Sequence, residues 1–342
     1  MFELFLFLIV SLYCLYSNIG AFVVTICSYP LLEEIIIRMK RRLLISVFLL
    51  IAGALQAQSI DPTYIFYQQH QNLVNPAVVS KEKGHTISAD ICNQWRGMNE
   101  APQTQTFFTT HKITDRVGLG LSVTNNKVFI QKQTGVFGDF SYRVPINEHS
   151  NIVGGIKFGG EFFNIDISQI RTYNHLYNAG QNATRYDPYL QDISGKFQFN
   201  FGTGVYYELR DFYVGLSIPN MLASDKVGME NDVMTSVAEN MLYYAMAGYH
   251  WHISSDFTLK PSVQIRLAKK QEASTNFTVA TDYLNRAEVG LTYRTDKAFS
   301  SYVLFNIPNY YISVGYGFET YFQTHLNLQS RNSHEFLVQV KW

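Results

Sequence analysis

The sequence predicts an all-β transmembrane barrel of about fourteen antiparallel strands, the fold class of outer-membrane proteins. Hydrophobic and polar residues alternate with a period of two, and short and long connections alternate along the chain. No apolar run beyond residue 57 approaches the length of a membrane-spanning helix. Aromatic residues make up 15% of the chain and charged residues only 16%, which suits a surface in contact with lipid.

The first 57 residues have the features of an export signal. Basic residues at 40–42 precede an apolar core of about 13 residues, followed by small and polar residues. This pattern predicts a signal peptide that starts at Met39 and is cleaved after Ala57, with residues 1–38 as an upstream extension. The alternative is a genuine membrane helix at residues 2–27, which are also almost entirely apolar.

The expected mature chain, from Gln58 to Trp342, has no charge suited to nucleic acid. Removing four basic and three acidic residues from 27 of each leaves 23 basic and 24 acidic residues, a net charge near −1. Cys92 is then the one cysteine that remains, so no internal disulfide or cysteine-based zinc cluster is expected.

The barrel is predicted to occupy residues 86–342, preceded by an N-terminal segment at 58–85. This segment is too long to serve only as a lead-in to the first strand, and it is expected to lie in the periplasm or to plug the lumen. Asn75, Pro76 and Ala77 are expected to form a turn within it.

Alternation predicts fourteen strands near 86–96, 104–112, 117–125, 134–145, 151–165, 196–209, 211–218, 241–252, 257–268, 276–284, 286–295, 299–307, 310–319 and 335–342. Connections after even-numbered strands are tight, with at most about five residues, whereas those after odd-numbered strands are mostly longer and reach about 30 residues at 166–195. Sorting of this kind is typical of membrane barrels, whose short turns are periplasmic and whose long loops are extracellular. The last strand ends on Trp342, an aromatic end that resembles the terminal signal of outer-membrane barrels.

The same alternation divides the strand residues between lipid and lumen. The predicted lipid-facing residues of strands three and four are Val117, Leu119, Leu121, Val123, Val136, Phe140, Tyr142 and Val144. The predicted lumen residues include Asp139, Arg143, Lys157, Glu161, Arg266, Glu288 and Arg294. Charges in a lumen are expected in any barrel and do not indicate a transport route.

No constellation for catalysis is evident, and neither an enzyme activity, a cofactor nor a metal is expected. His250 and His252 share a strand face but lack a third ligand, so a solvated strand end is favoured over a metal site. The better candidates for contact lie in the long loop at 166–195. Its partner-facing residues are expected to be Arg171, Tyr173, Tyr177, Arg185, Tyr186 and Tyr189, although a lid packed over the barrel mouth is an alternative.

The stretch "QWRGMNEAPQT" (94–104) is predicted to be the first outer hairpin. Alternation from Ile87 through Ile91 places Trp95 in the outer aromatic girdle, while Gln94 and Arg96 are expected to face the lumen.

Two of these segments resemble the PorP/SprF family of outer-membrane proteins of Bacteroidota. Asn75, Pro76 and Ala77 match the family's Asn-Pro-Ala-Tyr motif, with Val78 in place of Tyr. In the second motif the matching residues are Gln94, Trp95, Gly97, Ala101, Pro102 and Thr104, while Cys92 stands where Arg is usual. The resemblance spans roughly 58–342, with specific motifs only in the first 50 residues or so.

The resemblance implies an accessory part of the type IX secretion and gliding machinery in the outer membrane of a Gram-negative cell. Partners would be periplasmic ring or peptidoglycan-binding subunits and a secreted, adhesin-like surface protein whose export or attachment is assisted. A porin or small-solute channel is the alternative function, since lumen charges and large loops suit it equally well. A third class, an outer-membrane lipid hydrolase or acyltransferase, lacks a visible Ser/His/acid set.

Overall fold

A computed structural model describes residues 63–81, 84–96, 100–166, 193–222, 229–230, 233–234, 241–268, 273–322 and 332–342. The chain divides into two units, Met1–Gln56 and Ala57–Trp342, and every described residue belongs to the second. None of the helices in this described part is long and apolar enough to cross a bilayer.

Fourteen antiparallel strands form one closed barrel, which confirms the predicted fold class. In chain order, β1 to β14 are His85–Asn93, Gln103–Lys112, Val117–Val128, Gln131–Asn147, Ser150–Ile165, Ile193–Leu209, Phe212–Ile218, Leu242–Tyr249, Phe257–Ala268, Ser274–Tyr283, Ala287–Arg294, Ala298–Ile307, Ile312–Tyr321 and Asn332–Lys341. After β8, Trp251–His252 continues the pairing with β9, and Met229–Glu230 pairs with Val233–Met234 apart from the barrel.

The barrel closes because its first and last strands pair with each other. Each strand pairs with its neighbours in the chain, and β1 also pairs with β14, with Ile87 opposite Val340. At the end of this pairing, the backbone of His85, the first residue of β1, exchanges two hydrogen bonds with that of Trp342, which follows β14, at 2.8 and 3.1 Å. Gly84 has a φ of +111°, and a Cβ at this position would lie 2.2 Å from the Trp342 carbonyl oxygen. The close approach therefore requires glycine here.

The two ends of the barrel differ in their connections. One end, called the turn end, carries the short connections that follow even-numbered strands, such as 148–149 and 210–211. The opposite end, called the loop end, carries the long connections, of which 166–192 is the longest. The β3–β4 connection at the loop end is shorter than predicted, because both strands extend through polar residues and leave only 129–130 between them.

The predicted division of strand residues between a lipid face and a lumen face agrees with the exposure of these residues in the structure. Leu119, Leu121, Phe140 and Tyr142 are exposed on the outside, whereas Asp139, Lys157, Glu288 and Arg294 are buried inside. Large apolar residues on the outer face alternate with buried residues on the inner face, most of which are polar or charged in β1, β11 and β14. Lipid replaces the hydrophobic core on the outside of such a barrel. Its inner face carries polar and charged side chains together with two groups of apolar ones.

Candidate functional site in the barrel lumen

The lumen holds residues 63–81, which are called the plug below. At the loop end, Gln94 Nε2 donates a hydrogen bond of 2.9 Å to Thr63 Oγ1. Towards the turn end, Lys81 Nζ donates a hydrogen bond of 2.7 Å to the Tyr206 hydroxyl. The plug therefore runs through the lumen from the loop end to the turn end, where β1 begins.

The plug is built from consecutive tight turns. Hydrogen-bonded turns at 65–70 lead into a four-residue helix, α1 (Gln71–Val74), and then into a 3-10 turn at Pro76–Ser80. Asn75 separates the two, and its side-chain Oδ1 accepts a hydrogen bond of 3.0 Å from the Ala77 backbone nitrogen. Proline at the first position of the 3-10 turn costs no hydrogen bond, because that nitrogen has no partner within the turn. The Asn-Pro-Ala sequence thus starts this turn.

Two apolar clusters join the plug to the lumen wall. In the first, Ile65 and Phe66 pack with lumen-facing residues Ala280, Tyr302, Leu304 and Leu337. In the second, Ala77 and Val78 pack with Val153, Tyr206, Tyr213 and Met246. Burial of each large apolar side chain contributes roughly 1.5–3 kcal/mol, so the two clusters together hold the plug firmly.

Glycines in the lumen wall make room for the plug backbone. A Cβ added at Gly155 would lie 2.3 Å from the Ala77 backbone nitrogen, and one at Gly204 would lie 2.1 Å from Asn75 Oδ1. A Cβ at Gly315, on the opposite side of the barrel, would lie 2.6 Å from the Phe66 ring. These positions need a residue without a side chain because the plug occupies the space.

Polar contacts fix the plug in register with the wall. The Glu335 carboxylate accepts hydrogen bonds from the backbone nitrogens of Ile65, at 2.5 Å, and Phe66, at 3.3 Å. Arg143 donates to the Ser80 carbonyl oxygen at 2.8 Å, on the other side of the lumen. The Tyr67 hydroxyl donates to Thr278 Oγ1 at 2.9 Å. Buried polar groups need such partners, and here plug and wall supply them to each other.

Most acidic side chains in the described lumen lie beside a basic one. The ion pairs are Lys157 with Asp139 at 2.8 Å, Lys260 with Glu288 at 2.7 Å and with Asp282 at 3.2 Å, Arg294 with Glu319 at 3.2 Å, and Arg143 with Glu208 at 3.4 Å. Removing a charged side chain from water costs free energy, and a partner of opposite charge offsets part of that cost.

Two carboxylates without a lysine or arginine partner among the described residues lie where the plug meets β1 and β14, the two strands that close the barrel. His70 of the plug, Asp90 of β1 and Glu335 of β14 are all buried, and one ligand atom from each lies within 4.8 Å of the others. His70 is packed edge-on against the rings of Tyr64 and Phe108. No lysine or arginine in the described residues forms an ion pair with either carboxylate.

A polar cavity of about 450 Å³ lies at the turn end, with the plug on one side of it. Lys81, Lys260, Glu288, Tyr311 and Lys341 are among the lining residues. At its edge, burial and, to a smaller extent, the positive charges of Lys81 and Lys260 lower the pKa of His250 to about 4. The cavity presents side-chain amides, hydroxyls, lysines and two carboxylates, together with apolar groups such as Leu304 and Ile312.

The structure describes most, but not all, of the residues singled out in the sequence. Asn75, Pro76 and Ala77 lie in the centre of the plug, and Gln94 binds its first residue. Near Gln94, Pro102 accepts a backbone hydrogen bond from it and Thr104 Oγ1 donates to Asn126 at 3.0 Å. Outside the described residues are Gly97, Arg171, Tyr173, Tyr177, Arg185, Tyr186 and Tyr189.

The placement predicted for Trp95 and Arg96 is wrong. Strand β1 ends at Asn93 and Trp95 has a φ of +50°, so the two-residue alternation does not continue to these positions. Trp95 is half-buried and its indole Nε1 is enclosed without a partner among the described residues, which does not fit an outer aromatic girdle. Arg96 is exposed.

His250 and His252 do not belong to the group of three possible metal ligands found among the described residues. The side chain of His252 contacts Asp211, at 3.3 Å, and Thr258, at 3.0 Å, across the turn end. His250 lies at the break between β8 and Trp251–His252, where its backbone nitrogen bonds to Asp211. Sequence reasoning instead missed His70 and Glu335, whose roles depend on residues more than 260 positions apart in the chain.

A closed fourteen-stranded barrel with an apolar outer face and a polar lumen defines an outer-membrane β-barrel protein. The model of the type IX secretion system membrane protein PorP/SprF family matches residues 56–340. The chain belongs to this family. No curated protein matches the chain.

Solved structures with a similar fold are outer-membrane barrels. Omp33 of Acinetobacter baumannii has a TM-score of 0.45 at 8% identity, over 76% of this chain and 98% of its own. The toluene transporter TodX of Pseudomonas putida has a TM-score of 0.44 at 10% identity, over 79% and 92%. The KdgM porin has a TM-score of 0.36 at 10% identity, over 75% and 99%.

Replacement of Gly155 by alanine should loosen the plug. The new methyl group would meet the plug backbone at Ala77, so we expect Gly155→Ala to lower the free energy of unfolding by about 1–3 kcal/mol and to expose the plug to protease. The matched control is Gly154→Ala, one residue away, where an added Cβ meets nothing within 4 Å. Urea titration and limited proteolysis in detergent measure both effects. Equal behaviour of the two variants would contradict the seating of the plug on Gly155.

Proposed function

We propose that this protein is a non-enzymatic outer-membrane component of the type IX secretion and gliding machinery. It assists export or surface attachment of a secreted, adhesin-like protein and contacts periplasmic ring or peptidoglycan-binding subunits. Membership of the PorP/SprF family supports the place in the secretion machinery. The filled lumen is the observation that favours an assembly role over conduction.

A channel needs a continuous open path, and the plug stands in its way. Contacts of the plug reach β1 at Cys92, β4 at Arg143, β6 at Val205, β9 at Ser262 and β14 at Glu335. It is thus anchored around much of the circumference. Buried side chains on both ends of the plug make its release costly. This arrangement supports a barrel that binds and holds other proteins.

The two barrel ends suit two kinds of partner. The turn end, which is periplasmic by its short turns, has the cavity, whose lining includes Lys81, Lys260 and Lys341, and it is the end proposed to face a periplasmic subunit. The loop end carries the long connections and is assigned to the secreted protein at the cell surface, with the loop at 166–195 as the contact.

We also propose that the chain is exported by a signal peptide starting at Met39 and cleaved after Ala57, in a cell of the Bacteroidota. The course of the plug supports cleavage. At Thr63 the chain already lies at the loop end of the lumen. An uncleaved inner-membrane helix at 2–27 would have to be connected to that position through the barrel or around it.

The wild-type protein is expected to form no steady open pore, because the plug blocks the lumen. Single-channel recordings in planar bilayers measure this directly. A variant lacking residues 63–80 is the comparison and is expected to conduct, since the removed segment leaves the lumen wall in place. A steady open pore in the wild type would overturn the assembly role as stated and support the porin alternative.

A photo-crosslinking amino acid at Tyr311 should capture a periplasmic subunit of the secretion machinery in living cells. Tyr311 is exposed at the turn end and lines the cavity. The matched control is Phe129, an exposed aromatic residue in a tight turn at the loop end. Mass spectrometry identifies the products. Capture of the same periplasmic protein from both positions, or from neither, would contradict docking at the turn end.

The protein purified from native outer membranes is expected to begin at Gln58. Intact-mass spectrometry distinguishes a chain of 285 residues from the full 342. Detection of residues 1–38 in the purified protein would refute the proposed start at Met39.

A further inference from the structure

The cluster of His70, Asp90 and Glu335 joins three separate parts of the fold. His70 lies in the plug, while Asp90 and Glu335 lie on the lumen faces of the two strands that close the barrel. His70 Nδ1 is 3.8 Å from Glu335 Oε1, and one ligand atom of each residue lies within 4.8 Å of the other two. All three residues are at most 2% exposed.

The polar atoms of this cluster lack sufficient partners. Neither ring nitrogen of His70 has a hydrogen-bond partner within the described part of the chain, and the Asp90 carboxyl has no partner there other than the Glu335 carboxyl. Unpaired polar atoms at such burial are costly, by about 1–3 kcal/mol each. A buried imidazole with both nitrogens unpaired, one of them within 4.8 Å of two carboxylates, points to a ligand held between the three side chains.

The charge of the cluster indicates that this ligand is a cation. Two buried carboxylates in close proximity repel each other unless a proton or a positive charge lies with them. The comparable lumen carboxylate Asp139 has Lys157 at 2.8 Å, and Glu288 has Lys260 at 2.7 Å. Across from Glu335 on β1 stands Cys92, which supplies no positive charge.

We propose that His70, Asp90 and Glu335 bind one divalent transition-metal ion of the zinc class. One imidazole nitrogen and two carboxylate oxygens suit zinc better than calcium or magnesium, which prefer oxygen ligands throughout. Ligand atoms on a tetrahedral zinc lie about 3.3 Å apart, as follows from bonds of about 2.0–2.1 Å. The observed separations require side-chain movements on the order of 1 Å to reach this geometry.

Such an ion would connect the plug to the seam, which is the pairing of β1 with β14 that closes the barrel. Its three protein ligands come from the plug, β1 and β14, so a bound ion would cross-link the two ends of the chain. Glu335 would keep its second role, since its carboxylate also accepts the backbone hydrogen bonds of Ile65 and Phe66. The barrel should therefore be more stable with metal than without it.

Metal content of the full-length barrel tests this inference. The protein is purified in detergent, stripped with a chelator, incubated with zinc alone and passed through a desalting column. We expect about one zinc per barrel by elemental mass spectrometry, together with a higher Tm than the stripped protein. Asp90→Asn keeps the shape of the side chain and removes one ligand, so its zinc affinity should fall about tenfold or more, with loss of the rise in Tm.

The matched control is Asp139→Asn, which removes another buried lumen carboxylate that has its own lysine partner. This variant is expected to bind zinc as the wild type does. Wild-type protein without stoichiometric zinc would overturn the inference and leave a proton shared by the two carboxylates. Equal zinc binding by Asp90→Asn and the wild type would also overturn it.

A second measurement decides the question if Asp90→Asn does not fold. Co²⁺ added to the stripped wild-type protein should give the visible absorption bands of a four-coordinate nitrogen and oxygen site, and zinc should displace them. Absence of these bands would overturn the inference without use of any variant.

Discussion

The interior of the barrel is the constraint on which the rest of this structure depends. A barrel of about eight strands can fill its interior with its own side chains, but fourteen strands enclose more space than wall side chains can occupy. Here residues from the N-terminal segment fill much of it, with Phe66 and Ala77 among the buried contacts. Wall glycines such as Gly155 and Gly204 are placed where this segment approaches, so wall and plug have complementary shapes.

The pairing of charged side chains in the lumen follows from the same constraint. The outer face must be apolar for lipid, so polar residues of each strand are directed into a lumen from which the plug excludes much of the water. Carboxylates there need a partner, and the wall supplies lysine or arginine for Asp139, Glu288 and Glu319. Because the barrel is crowded with such pairs, lumen charges by themselves do not indicate transport. The cluster at His70 differs because, among the described residues, no lysine or arginine forms an ion pair with its carboxylates.

Much of the fold could be predicted because strand alternation is a local property. The period of two placed Leu121 outside and Lys157 inside correctly, and all fourteen strands were found. The prediction failed at Trp95, where a left-handed backbone interrupts the alternation, a feature that no periodicity shows. The contacts within the lumen were harder to predict from the sequence, because residues such as Glu335 and Ile65 are 270 positions apart in the chain. Only the closure of the barrel brings these residues together.

Glu335 couples the plug to the closure of the barrel. Its backbone belongs to β14, opposite Cys92 of β1, so its position is set only when the first and last strands pair. Its carboxylate then accepts the two backbone hydrogen bonds that begin the plug. A plug that is out of place leaves this carboxylate buried without donors, and an open seam leaves the plug without its first anchor. Each therefore stabilises the other, and plug and seam form one cooperative unit rather than an independent lid and wall.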